Sequence, residues 1–188
     1  MKPRHDMNYY KVQATIETLL PSLGIDTETQ DEYKDTPRRI ANLYYDMLCP
    51  EAFEFTTFEN TGTDQMIVTD AIDFHSMCSH HFLPFVGVAH IGYIPDERTA
   101  GLSKLARAVD YIAAGFWMQE ELTTEITDFL TEELEPKGLA VVLQAEHQCM
   151  SLRGVKKPGH RTTTSSMNGV FMEKGNEARA EFFALIRR

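Results

Sequence analysis

The sequence contains few cysteines, few basic residues and no long apolar segment. Its 188 residues include three cysteines, an odd and small number that argues against a framework of disulfide bonds. No segment approaches the roughly 20 consecutive apolar residues that a membrane-spanning helix needs. Residues 1–10 also lack the apolar core of a secretory signal peptide. We therefore predict a cytoplasmic protein that does not associate with membranes.

The shortage of positive charge restricts the partners of the protein. Its 18 Lys and Arg residues face 28 Asp and Glu residues, which gives a net charge of −10. A chain of this charge repels the phosphate backbone, so general nucleic-acid binding is excluded. If the substrate is itself a polyanion, the few basic residues must be concentrated around it. The apolar content of 43% is ordinary for a globular protein with a core.

Apolar periodicity predicts helices first and strands later in the chain. Apolar residues at helical spacing predict a helix over residues 9–20, and Asp35-Thr36-Pro37 has the composition of a second helix start. From about residue 66 the pattern becomes β-β-α-α-β-β, followed by a short terminal helix. The predicted strands are 66–74, 85–94, 139–150 and 161–172, and the later helices are 102–113, 122–134 and 178–186.

This order of elements predicts an α+β fold. We expect an antiparallel four-stranded sheet with two helices packed on one face, preceded by N-terminal helices. Residues 1–63 would form the helical region and a connector, and residues 64–188 the catalytic domain, as one functional unit. The local structure of residues 53–63 is left open. Free sheet edges can pair with another chain, so a ring-like homo-oligomer is a reasonable hypothesis.

Two short segments, C-S-H-H and a distant H-Q-C, contain residue types that commonly bind metals. Cys78, His81 and Cys149 would supply three ligands to one zinc ion. Three protein ligands leave the fourth tetrahedral position open, as in catalytic rather than structural zinc sites. Water at that position would have its pKa lowered to about 7, which makes it a nucleophile at neutral pH. His80 and His147 lie beside the ligands and are candidates for moving protons.

Each of these residues, taken singly, has a more ordinary role. A single cysteine is usually a small buried hydrophobe, and a single histidine on a strand is usually a core residue. A structural zinc would need a fourth protein ligand, for which His75 and His80 are candidates. However, the two segments hold two of the three cysteines and three of the seven histidines, which favours a metal site. Strand periodicity would place His147 and Cys149 on the same side, and Cys49 is assigned to packing.

A few basic residues flank these segments in an otherwise acidic chain. Lys104 and Arg107 are three residues apart on a predicted helix and share a face, and Ser103 opens that turn. Arg153 follows the H-Q-C segment closely. Guanidinium groups bind phosphate through two parallel hydrogen bonds, so these residues are candidates for a phosphate site. The alternative is a solvated charged face.

Gln119 and Glu120 lie at the predicted start of the second core helix. A Glu in a first helical turn usually complements the helix dipole. The functional alternative is purine recognition, because a carboxylate can accept hydrogen bonds from N1–H and the 2-amino group of guanine. An amide side chain could complete the recognition of that edge.

These residues together resemble the GTP cyclohydrolase I family over roughly residues 9–188. Agreement with an ordered series of motifs is far more specific than agreement with one. The segments that carry the resemblance are Asp35-Thr36-Pro37-x-Arg39, Met77-Cys78-x-His80-His81, Gly92-Tyr93-Ile94-Pro95, Gly101-Leu102-Ser103-Lys104-Leu105-x-Arg107, Gln119-Glu120-x-Leu122-Thr123, His147-x-Cys149, Arg153-Gly154-Val155, Thr162-Thr163-Thr164-Ser165 and Arg179-x-Glu181-Phe182.

The resemblance implies a fold, an assembly and a reaction. The fold is the tunnelling (T-) fold, with pentamers stacked into decamers and active sites between subunits. Zinc-activated water attacks C8 of GTP, formate leaves, and 7,8-dihydroneopterin triphosphate forms. The implied residues are Cys78, His81 and Cys149 for zinc, His80 and His147 for acid–base chemistry, Ser103 for the ribose steps, Glu120 and Gln119 for guanine, and Lys104, Arg107, Arg153 and Arg39 for the triphosphate.

The chain also departs from the family pattern. Ser79 stands where the family usually has Glu, and Glu121 stands where Arg is usual. Ser79 removes a negative charge beside the metal loop, and Glu121 reverses a charge near the expected site or near a subunit contact. Two other classes therefore remain as alternatives: a related enzyme with another substrate or product, such as one that serves deazapurine synthesis, and a weakly active zinc- and nucleotide-binding oligomer.

Overall fold

The computed structural model describes residues 6–187, and the chain divides into two units between Ala52 and Phe53. No described helix is long and apolar enough to cross a bilayer. The helices are α1 (Tyr9–Ser22), α2 (Thr36–Leu48), α3 (Leu102–Ala113), α4 (Gln119–Leu134), α5 (Gln148–Ser151) and α6 (Ala178–Leu185). The strands are β1 (Thr57–Glu59), β2 (Ile67–Cys78), β3 (Pro84–Ile94), β4 (Arg98–Ala100), β5 (Phe116–Trp117), β6 (Gly138–His147) and β7 (Arg161–Met167). Short 3-10 helices occupy Asp31–Tyr33 and Gly169–Met172.

The N-terminal unit contains α1 and α2, both of which the sequence predicts. The side chain of Asn8 accepts a hydrogen bond from the backbone N–H of Lys11 at 3.0 Å and caps α1. The helix ends before Gly24, whose φ of +80° suits a residue without Cβ. Tyr9 donates its hydroxyl proton to Asn42 on α2 at 2.6 Å, which ties the two helices together.

The second unit contains the predicted four-stranded antiparallel sheet, with β2, β3, β6 and β7 in that order. The two-residue strand β5 adds a parallel pairing at the outer edge of β2, which the sequence does not predict. β1 lies in the segment whose structure the sequence leaves open, and it forms a separate antiparallel pair with β4, which the sequence does not predict. The α+β fold expected from the order of elements is confirmed.

Strand β6 is buried on both faces, and this explains its nearly continuous apolar sequence. Leu139, Val141 and Leu143 face the main core, in which α3 and α4 cover the sheet. The alternate residue Val142 packs in a smaller core with Phe182 of α6. The two helices on one face are therefore as predicted, and α6 covers part of the opposite face as an addition.

Strand β6 also ends earlier than its periodicity predicts. The prediction that it continues to Met150 is wrong, because residues after His147 turn into the short helix α5. Cys149 therefore lies on a helical turn rather than on a strand face. The alternation of apolar residues does not reveal this change, because it continues through the residues that form the helical turn.

Gly87 permits the close approach of β3 and β6, so Gly87→Ala is expected to destabilise the protein. A Cβ at this position would lie 2.0 Å from the carbonyl oxygen of Gln144 and 2.6 Å from Cα of Ala145. Overpacking of this kind costs about 1–3 kcal/mol in the free energy of unfolding. Urea denaturation measures the loss.

Gly101→Ala is the matched control for this substitution. The nearest atom to its new Cβ would be Cγ of Lys104 at 3.3 Å, which belongs to a flexible side chain. Equal losses of stability in the two variants would contradict the steric explanation.

Candidate active site

Two cysteines and one histidine form a compact cluster of metal-binding atoms. One ligand atom each from Cys78, His147 and Cys149 lies within 4.8 Å of the other two. Cys78 ends β2, His147 ends β6, and Cys149 lies in α5. Thiolate and imidazole groups together are the donors that zinc and other soft or borderline metals prefer. The cluster could therefore hold a metal ion.

Strand pairing brings these distant residues together. Strand β3 pairs with β2 on one side and β6 on the other, which places Phe85 opposite His147. On the outer side of β2, Cys78 pairs with Trp117 of β5. Helix α4 begins two residues after Trp117, so β5 leads directly from the edge of the site to Gln119.

The turn after Cys78 carries the two adjacent histidines. The backbone N–H of Cys78 donates to Leu83 at 2.9 Å, and that of Phe82 donates back to Cys78 at 3.0 Å, which closes the turn. Nδ1 of His80 and Nδ1 of His81 each lie 3.9 Å from Sγ of Cys78. Both side chains are exposed. Two further imidazoles therefore lie near the thiol of Cys78.

The histidine in the compact cluster differs from the one that the resemblance implies as a ligand. His147 is a member of the three-residue cluster, whereas His81 approaches Cys78 alone. The set Cys78, His81 and Cys149 stays a prediction, and His147 enters as a further candidate. Sequence reasoning placed His147 beside the metal, and the sheet register explains its closer position.

The electrostatics of the cluster fit a bound cation. Burial raises the pKa of the Cys149 thiol, the adjacent Cys78 raises it further, and Arg153 acts in the opposite direction. Burial lowers the pKa of His147, and the carboxylate of Glu120 partly offsets this effect. A divalent cation favours thiolates and neutral imidazole, so the thiol pair and His147 have the donor chemistry of a metal site.

Two contacts fix the ring of His147. It stacks on Phe85 with ring centroids 4.6 Å apart and planes 6° from parallel. Its Nε2 lies 2.8 Å from Oε1 of Gln119, the first residue of α4. Gln119 is only 2% exposed, so its amide is turned into the protein rather than towards a ligand.

Glu120 points the other way from the same helical turn. Its side chain is exposed, and its effect on the pKa of His147 places it within electrostatic reach of the cluster. Glu121, one residue later, is also exposed. The predicted guanine pair is therefore divided between a buried amide and an open carboxylate.

The predicted phosphate-binding residues, with Ser103, lie on α2, on α3 and in the loop after α5. Ser103, Lys104 and Arg107 are in the first two turns of α3, where Nζ of Lys104 donates to the carbonyl oxygen of Glu54 at 2.7 Å. Within residues 6–187, no hydrogen bond or ion pair links these three side chains to the cysteine cluster. Arg153 lies closer, since it influences the pKa of Cys149.

Arg39 belongs to α2 in the N-terminal unit. It is exposed and lies 4.0 Å from the carboxylate of Asp35, four residues earlier in the chain. An exposed pair at this spacing contributes little to stability, so the guanidinium can exchange this partner for another anion at little cost.

Glu146 is a residue that sequence reasoning missed. It accepts hydrogen bonds from the hydroxyl of Ser151 at 2.6 Å and from the backbone N–H of Gly159 at 3.0 Å. These bonds lower the pKa of its carboxyl group. They join the two ends of the loop that carries Arg153. A single Glu near a strand end has no motif that could have identified this role.

Comparison with known proteins identifies the family. A model of the GTP cyclohydrolase I family matches residues 12–187. The chain belongs to the GTP cyclohydrolase I family. It is 44% identical over 178 residues to the GTP cyclohydrolase 1 of Aquifex aeolicus (strain VF5), with 94% of this chain and 96% of that protein covered.

Two further relatives support the same assignment. The GTP cyclohydrolase 1 of Hydrogenobaculum sp. (strain Y04AAS1) is 45% identical, over 95% of this chain and 97% of that protein. The GTP cyclohydrolase 1 of Geobacillus kaustophilus (strain HTA426) is 41% identical, over 97% and 98%. The predicted family and the prediction of an enzyme are confirmed, and the similarity extends through both units of the chain.

The loop after α5 should become more accessible when its anchor is removed. In Glu146→Ala, neither Ser151 nor Gly159 retains its carboxylate partner, so we expect faster tryptic cleavage after Arg153 and Lys156. Limited proteolysis followed by mass spectrometry measures the rate at each site. Gln144→Ala, on the same face of β6, is the matched control. Unchanged cleavage in Glu146→Ala would show that the loop is held by different contacts.

Metal binding should depend on the thiol pair. Cys149→Ala removes one of the two sulfur ligands, so stoichiometric binding of zinc, used as the probe, is expected to be lost. Elemental analysis after loading and gel filtration measures metal per chain. Cys49→Ala is the control, because Cys49 lies outside the cluster in the N-terminal unit. Full metal content in Cys149→Ala would remove this residue from the ligand set.

Proposed function

We propose that the protein is a zinc-dependent GTP cyclohydrolase I. It would open the imidazole ring of GTP at C8, release formate and form 7,8-dihydroneopterin triphosphate, in the first step of folate or pterin biosynthesis or at the entry to deazapurine synthesis. The main observation in support is the clustering of Cys78, His147 and Cys149 near the open carboxylate of Glu120, in a chain of this family.

Zinc is the metal that best suits the donor set. Cys78 and Cys149 would supply two sulfurs, and His81, with His147 as the other candidate, would supply an imidazole. When bound, zinc acts as a Lewis acid and makes water a stronger nucleophile at neutral pH. Burial and the adjacent Cys78 raise the pKa of the Cys149 thiol, and a cation bound between the two sulfurs would stabilise their thiolate forms.

Glu120 would bind the guanine ring. Its carboxylate can accept hydrogen bonds from N1–H and the 2-amino group, which distinguishes guanine from adenine. Its exposure in the first turn of α4 and its proximity to His147 support this assignment. The base would then lie next to the histidine that exchanges protons with it.

Fixed cations would bind the triphosphate. The influence of Arg153 on the pKa of Cys149 supports a position near the cluster, and Lys104 and Arg107 share the first turns of α3. Arg39 would contribute from the N-terminal unit, and Ser103 would act in the rearrangement of the ribose. Such a group of cations offsets the net charge of −10, which would otherwise repel a triphosphate.

His80 and His147 would transfer the protons that ring opening requires. The departing ring nitrogen must be protonated, and an imidazole that titrates near neutrality suits this task. His80 is exposed beside Cys78, whereas His147 is held between Phe85 and Gln119. The different environments support different roles for the two rings in the reaction.

The active assembly would be a homodecamer in the cytoplasm, with sites between subunits. In residues 6–187, β7 pairs on one side only, with β6, and so leaves a seven-residue edge for another chain. In this proposal residues 1–63 and 64–188 act as one functional unit.

Incubation of zinc-loaded protein with GTP tests the proposed function. Release of formate and appearance of pterin fluorescence are the expected results. Absence of formate would overturn the proposal and favour a binding protein. Ring-opened product without pterin fluorescence would favour an enzyme with an altered product.

Glu120→Gln should weaken GTP binding without affecting zinc. Charged hydrogen bonds of the kind lost here contribute about 1.5–3 kcal/mol each, so KM is expected to rise at least tenfold. Steady-state kinetics with parallel zinc analysis measures both effects. Glu121→Gln is the matched control on the neighbouring exposed position. Equal changes in KM for the two variants would argue against a specific guanine contact.

A further inference from the structure

The side-chain amide of Gln119 can adopt only one orientation. Its nitrogen shares two hydrogens among three acceptors, the carbonyl oxygens of Leu143 at 3.3 Å and Thr162 at 3.0 Å and the hydroxyl oxygen of Thr164 at 3.1 Å. Backbone carbonyls only accept hydrogen bonds, so the NH2 end must face them. A flipped amide would put its own oxygen against two acceptors in a buried position, which is strongly unfavourable.

This orientation determines the position of a proton on His147. The amide oxygen of Gln119 faces Nε2 of His147 at 2.8 Å, and an amide oxygen only accepts hydrogen bonds. Nε2 must therefore carry the hydrogen. In the neutral ring the lone pair is then on Nδ1, and that nitrogen is the one left for a metal ion or a proton.

Two threonines extend this order of donors and acceptors. The hydroxyl of Thr123 donates to the backbone oxygen of Gln119 at 2.7 Å. The hydroxyl of Thr123 has only this one hydrogen to donate. In the 2.6 Å contact between the two threonine hydroxyls, the donor must therefore be Thr164. Thr164 is left to accept from the amide of Gln119. Each hydrogen bond in this series therefore has a fixed donor and a fixed acceptor. The series connects α4 and β7 to His147 on β6.

We infer that Gln119 is a positioning residue that holds His147 in its Nε2–H tautomer, and that it does not contact the guanine ring. Its side chain is 2% exposed, and its nitrogen and oxygen are both engaged within the protein. Stacking on Phe85 fixes the plane of the imidazole, and the amide fixes the tautomer. The consequence for turnover rests on the proposed function, whereas the tautomer itself does not.

Nitrogen NMR of His147 tests the tautomer directly. Metal-free protein labelled with 15N-histidine is measured at a pH where the ring is neutral, and the His147 signals are assigned with a His147→Asn variant. The expected wild-type spectrum shows a protonated Nε2 and an unprotonated Nδ1. A protonated Nδ1 in the neutral wild-type ring would overturn the inference without any variant.

Gln119→Met removes both ends of the amide at similar side-chain volume. We expect the His147 signals to become those of a mixture of tautomers. Thr127→Val is the control, because it removes another buried hydrogen bond of α4, to the backbone oxygen of Thr123, away from His147. Unchanged His147 signals in Gln119→Met would also overturn the inference.

Steady-state kinetics separate positioning from substrate binding. For Gln119→Met we expect kcat to fall about 10- to 100-fold, as for residues that orient a site through a second residue, with KM for GTP changed less than about threefold. A tenfold rise in KM with unchanged kcat would restore the guanine-binding role. If the wild-type protein does not turn over GTP, the proposed function fails, and the NMR result still decides the role of Gln119.

Discussion

The pairing of β3 with β2 on one side and with β6 on the other is the constraint on which the candidate site depends. Cys78 comes from the end of β2 and His147 from the end of β6, nearly 70 residues apart in the sequence. Their meeting requires the register that places Phe85 opposite His147. Gly87 permits this register because any side chain there would collide with Gln144 and Ala145 on β6.

Much of the fold can be predicted from the sequence, because helices and longer strands have recognisable patterns of apolar residues within a short segment. The apolar spacing of α3 and α4 and the β-rich composition of β3 predict elements within a few residues of their observed bounds. The end of β6 differs, since the alternation continues beyond His147 although the chain turns there. Strands β1, β4 and β5 have three residues or fewer, which is too short for any periodicity to register.

For the candidate site, the sequence predicts the types of functional residue better than it predicts their arrangement in space. Residue types and spacing were enough to select the cysteines and histidines, because few side chains bind metals. They could not tell which imidazole lies closest to both thiols, since that depends on the ends of two strands. Nor could they identify Glu146, whose partners Ser151 and Gly159 become its neighbours only when the loop closes.

The first turn of α4 places a buried amide, Gln119, directly before an exposed carboxylate, Glu120. A buried amide costs about 1–3 kcal/mol when its partners are missing, and an apolar side chain at Gln119 would avoid that risk. All polar groups of this amide are satisfied, and one of its partners is His147, which gives the polar residue a purpose beyond packing. Adjacent helical residues point about 100° apart, so Glu120 can face solvent from the same turn. One turn can thus hold the ring of His147 from inside and present a carboxylate to solvent from outside.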